Sequence, residues 1–93
     1  MPAIRYYEAI NAEIIRLLKK EREQRKLSKY AIAQRSGISQ SMISLIERGL
    51  RNPTMELVLR LADGIDADLP AIIAKAQANV KMEGNASNIK NPD

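Results

Sequence analysis

Between Gly37 and Gly49 the chain reads ISQSMISLIER, and its polar side chains are of an uncommon kind. On a helix turning 100° per residue, Gln40, Ser44, Arg48 and Ser41 share an arc of about 100°. Ile43 and Ile46 fall on the opposite side. The polar arc therefore offers an amide, two hydroxyls and a guanidinium, with no acid. An ordinary solvated helix would mix Glu with Lys there. Amide and hydroxyl groups suit the edges of bases. The major groove of B-DNA is about 12 Å wide and admits one helix, and a Gln amide pairs with adenine N6 and N7. Short Ser side chains let the backbone approach and bond bases or phosphates. Leu45 lies at the edge of the arc. It has two readings here, contact with a thymine methyl or packing beside Met42.

Composition narrows what else the chain could do. Ninety-three residues make one domain. The chain has no Cys and no His, which excludes disulfides, thiolate chemistry and the usual zinc sites. Nucleophilic catalysis through His or Cys is excluded with them. No carboxylates cluster within the expected helices, so the reading is non-enzymatic, with no metal and no cofactor. No apolar run has the length of a signal peptide or a membrane span, and a cytoplasmic protein off the membrane is expected. The net charge is +4, unevenly spread. Residues 1–27 and 28–53 each carry +3, whereas residues 54–93 carry −2. The first half is where a polyanion would dock.

These side chains must be held by an all-helical fold. The three aromatic residues are all Tyr, and β-branched alternation is absent. Ile10, Ile14, Leu17 and Leu18 step by threes and fours along a first helix over about 6–26. Ser28 caps a second helix that runs to Ser36. Ser39 caps a third, over about 40–48. Thr54 caps a fourth, with Met55, Leu57, Val58, Leu59 and Leu61 on its apolar side. Asp66 or Asp68 starts a fifth over about 69–78, with Pro70 harmless in its first turn. The DNA-binding unit is expected over residues 1–79, and the aperiodic residues 80–93 are expected to form a disordered tail.

Two helices joined by a three- or four-residue turn containing Gly form a helix-turn-helix. Ala33 must be small where the helices cross. Gly37 must turn left-handed at the corner. Ile32, Ile38, Ile43 and Ile46 must be aliphatic to meet beneath it. Phosphate contacts are expected from Lys29, from Arg48, Arg51 and Asn52 after the third helix, and near Ser28, where free helix N–H groups help.

The segment LSKYAIAQRSGISQSMISLIERGLRNPTMELVLRLAD, residues 27–63, resembles the Xre/Cro family of phage and bacterial repressors. With its flanking helices the resemblance extends over about 10–78. It implies a compact five-helix, lambda-repressor-like DNA-binding domain. It implies base reading at Gln40, Ser41, Ser44 and Leu45, and phosphate contacts at Lys29, Ser39, Arg48 and Asn52. It also implies an internal ion pair between Arg22 and Glu47, which would remove an acid from beside the phosphates. Two positions depart from the family pattern. Asp66 stands where Gly is common, with Gly64 two residues earlier, so the fourth helix could end elsewhere. Glu21 stands where an apolar residue is common, which would loosen the end of the first helix. The expected partner is double-stranded DNA, bound as a homodimer that represses. Ile72, Ile73 and Ala76 are the dimer candidates. The same residues would also suit an antitoxin with a toxin partner, a restriction–modification controller, or a module that bridges other proteins.

Overall fold

The chain folds as five helices, seen in a computed structural model that describes residues 4–88. They are α1 (Ile4–Gln24), α2 (Lys29–Ser36), α3 (Gln40–Glu47), α4 (Met55–Ile65) and α5 (Leu69–Asn88). There is no strand among the described residues. The fold class is all-α, as the sequence implied.

The helix starts follow from capping. Ser28, Ser39 and Thr54 each hold extended backbone, and each side-chain oxygen accepts the amide three residues on, from Ala31, Met42 and Leu57. Asp68 does the same for Ala71 at the head of α5.

The helix ends need a left-handed residue, and four sites supply one. Gly37 (φ 74°) donates its N–H to the Ala33 carbonyl at 3.0 Å. Gly49 (φ 74°) closes α3 with a paired motif, Gly49 N–H to Ile46 and Leu50 N–H to Leu45. Lys26 (φ 58°) and Asp66 (φ 63°) close α1 and α4 by the same two bonds, although neither is Gly. Thus α4 ends at Ile65, and Gly64 lies buried inside it. A Cβ at Gly64 would touch Ile32 and Ser36 at 3.5 Å, so α2 and α4 meet there.

The core joins all five helices. Ile32, Ile43 and Ile46 are fully buried, together with Ile15 and Leu18 of α1, Val58, Leu61 and Ile65 of α4, and Leu69 of α5. Eight-residue helices are marginal alone, so α2 and α3 exist through this packing.

Two expectations for the C-terminal part change. First, α5 continues ten residues past the expected end at 78, to Asn88, and so overlaps the segment read as a tail. The residues after Val80 lack apolar periodicity, but Lys, Met, Glu and Ala among them favour helix. Residues 89–93 lie outside those described. Second, Ala76 has 0 % exposure and Val80 is buried, because α5 lies along α1. Ile72 and Ile73 are half-buried against the core. The stripe offered as a dimer surface is largely used within the monomer.

A polar clasp fixes α5 on α1. The Glu13 carboxylate accepts from Arg16 at 2.7 and 2.9 Å and from Asn79 Nδ2 at 2.8 Å. The Arg16 guanidinium, then Asn79, hold the Glu13 carboxyl down at about 2. A carboxyl lowered on folding stabilises fully above its unfolded value of 4.5 and loses that contribution as pH falls to about 2. Glu13→Gln is therefore expected to lower the melting temperature by a few degrees at pH 7 and to flatten the loss of stability between those two pH values. Thermal melts of both proteins from pH 7 to pH 2 check this.

Candidate nucleic-acid interface

The corner between α2 and α3 is built from three backbone devices. Gly37 turns the chain. The buried Ser36 hydroxyl accepts the Ile38 N–H at 3.1 Å. The Arg60 guanidinium, from α4, donates to the Ser36 carbonyl at 3.3 Å and is itself held by Glu56 at 2.9 Å. Ala33 is half-buried against the core, while Ile32, Ile38, Ile43 and Ile46 are buried beneath the corner.

That packing decides which side of α3 remains open. Gln40 and Ser41 are exposed, as is Arg48 just past the helix. Ser44 and Leu45 are half-buried. Met42 packs against the core, whereas Leu45 lies outside it. The Ser28 and Ser39 oxygens accept helix amides, which leaves each hydroxyl proton free to donate.

Lys29 does not extend into solvent. Its Nζ donates to Ser44 Oγ at 3.2 Å, across from α2 to the open face of α3. Arg51 is exposed, and Asn52 accepts from Asn11 of α1 at 3.3 Å. Arg48, Arg51 and Asn52 border a cleft of about 470 Å³ against α1, where Lys19 adds positive charge, Arg16 is paired with Glu13, and Glu8 and Glu47 add the acids.

Glu47 is the only acid of α3, and it is turned inward. Arg22 Nε and Nη2 donate to its two oxygens at 2.7 and 2.9 Å, and Arg22 Nη1 donates to the Leu27 carbonyl at 2.8 Å. The two side chains are 10 % and 8 % exposed. A forked pair of this kind is neutralised within the protein. The open side of α3 and the loop after it thus carries hydrogen-bonding groups and cations without a free carboxylate.

A helix-turn-helix family model matches residues 18–72, over half of the chain. The chain belongs to the Cro/C1-type helix-turn-helix family. The match encloses α2, α3 and α4 entirely, with the end of α1 and the first turn of α5. The family comprises DNA-binding transcription regulators. No curated protein and no solved structure matches the chain.

Three contributors to this Cro/C1-type site were invisible in the sequence. Arg60 braces the corner from 24 residues away, and Asn11 reaches Asn52 across 41 residues. Lys19 joins the basic cleft from α1. Only the packing of α1 and α4 against the corner brings these residues there. Glu21, expected to loosen α1, pairs with Arg25 at 2.8 Å, and Arg22 ties the end of that helix to α3.

Arg22→Met is expected to cost about 3–5 kcal/mol, because Glu47 would stay buried as an unpaired charge. The double variant Arg22→Met, Glu47→Leu is expected to regain most of that loss. Urea unfolding midpoints of the three proteins measure both effects.

Proposed function

We propose that this protein is a sequence-specific repressor that binds double-stranded DNA as a homodimer, with α3 lying in the major groove. The observation that carries the reading is the open face of α3. Gln40 and Ser41 are exposed there, with Ser44 and Leu45 beside them, while the one acid of the helix is locked to Arg22. Gln40 suits adenine N6 and N7, Ser41 a base or phosphate oxygen, and Leu45 a thymine methyl. Arg48, Arg51 and Asn52 would hold phosphates on one flank, with Ser39 and Ser28 at helix N-termini. Phosphate contacts set register and most of the affinity, whereas base contacts set sequence.

A homodimer would place two copies of α3 about 34 Å apart, one helical turn of DNA. With Ala76 inside the monomer, aliphatic side chains open to a second copy among the described residues include Leu50, Met55 and Leu59, each more than half exposed. The same three side chains support a second reading, in which a toxin or another protein partner covers them. Co-purification of a second chain would favour that reading. A purely two-fold palindrome in the selected DNA would favour the homodimer. The protein would act in the cytoplasm, where its DNA lies, and by occupancy rather than by catalysis.

Selection of sites from random duplex DNA supplies the operator. Against it, Gln40→Ala is expected to weaken binding by about 1–3 kcal/mol and to relax preference at one base pair. Arg48→Ala and Arg51→Ala are each expected to weaken binding to every sequence alike and to flatten the salt slope by about one unit. Fluorescence anisotropy titrations on operator variants at several salt concentrations separate the two behaviours. Unchanged selectivity in Gln40→Ala would remove α3 from the groove.

A further inference from the structure

Lys29 is an odd choice for the first residue of α2. A cation there faces the positive end of the helix dipole, so the fold gains nothing from it. It forms no ion pair with a carboxylate among the described residues. Instead its Nζ crosses to α3 and donates to Ser44 Oγ at 3.2 Å, with both residues half-buried. Ordering a long lysine side chain costs rotamer entropy. A helix surface would normally leave it in water.

This contact changes what Ser44 can do. With an Oγ lone pair taken by the ammonium, the Ser44 hydroxyl proton is free to point away from Lys29. The ammonium has two further N–H groups and no acceptor. Together the two side chains present donors and a positive charge to whatever lies against α3. In the major groove, guanine offers two acceptors, N7 and O6. Adenine pairs its N7 acceptor with an amino donor, cytosine offers only an amino donor, and thymine offers one oxygen beside a methyl. Guanine alone offers one acceptor to each of the two donors.

We propose that Lys29 and Ser44 act as one reading unit that selects guanine. Ser44 stands one turn beyond Gln40, about 6 Å along the helix axis, so the guanine lies at a different base pair from the one Gln40 reads. This assignment rests on the DNA-reading function above and takes Lys29 from a phosphate contact to a specificity determinant.

Site selection followed by anisotropy titration tests it, using the full chain with Lys29→Met, Lys29→Gln, Ser44→Ala and Gln40→Ala, each first shown to melt cooperatively. The wild-type protein is expected to lose about tenfold to a hundredfold in affinity when one G·C pair becomes A·T, and also when that guanine is replaced by 7-deazaguanine. Lys29→Met and Ser44→Ala are expected to shrink both losses to under about threefold, while the preference assigned to Gln40 persists. Lys29→Gln is expected to move the preference at that pair toward adenine, which offers the donor and acceptor an amide needs. If Lys29→Met and Lys29→Gln weaken all variants by one common factor and keep every base preference, Lys29 is a phosphate contact and the proposal fails alone. If the wild-type protein enriches no site, the proposal and the DNA-reading function fail together.

Discussion

The forked contact between Arg22 and Glu47 sets the geometry of the whole domain. It joins the last turns of α1 and α3, and the remaining arm of the guanidinium reaches the Leu27 carbonyl just before α2. One side chain therefore pins three segments. Burying two charges is costly, and that cost is offset only when every donor and acceptor is satisfied. Here the fork is complete, and no buried side-chain nitrogen or oxygen among the described residues lacks a partner. The direction of the pair matters as much as its energy. By forking onto Glu47, Arg22 neutralises the only negative charge of α3, which lines the same cleft as Arg48 and Arg51. Folding and the surface charge of α3 thus depend on the same contact.

The corner works by a different principle, the absence of atoms. Gly37 has no Cβ to strain at positive φ, and a Cβ there would meet the Arg60 guanidinium at 3.1 Å. Gly64 lets α4 lie close to α2, and its carbonyl accepts from Arg35 at 3.1 Å. The angle between α2 and α3 is therefore fixed from both sides, by the turn within and by α4 behind. A helix held in this way is pre-organised, and on the proposed function binding need not order it again.

Much of this was legible in the sequence because it is local. Ser28, Ser39 and Thr54 precede apolar-periodic runs, and Gly37 and Gly49 follow two of them, so α2 and α3 had both ends visible and α4 its start. Lys26 and Asp66 adopt the same left-handed geometry without a Gly to announce it. Their conformations are imposed by the bonds that close α1 and α4, which local propensity does not record. The end of α5 was hidden for a related reason. Periodicity marks only the apolar face of a helix, and α5 continues to Asn88, past Val80, where the apolar pattern of the sequence stops. Ala76 looked available for a partner because the extent of α1 contact cannot be read from a stripe. The resemblance named the Arg22–Glu47 pair, but the two residues are 25 apart and no spacing rule would join them. The Lys29 contact with Ser44 is harder still, since it depends on how far one flexible side chain leans across the corner.

The two faces of α3 cannot vary independently. Ile43 and Ile46, on one side, are the most deeply buried residues of the helix, and Gln40, Ser41 and Ser44 stand on the other. With only eight residues, the helix has no rigidity of its own. Its tilt is whatever the packing of its buried side against α1 and α2 allows. A hydrogen bond to a base edge weakens steeply as its angle departs from linearity. A small shift of either isoleucine would therefore be felt at the far side as misdirected donors. On the proposed function, specificity is stored partly in the core, in residues that never approach the DNA. The short capped helices, the braced corner and the internal ion pair all reduce the freedom of that tilt.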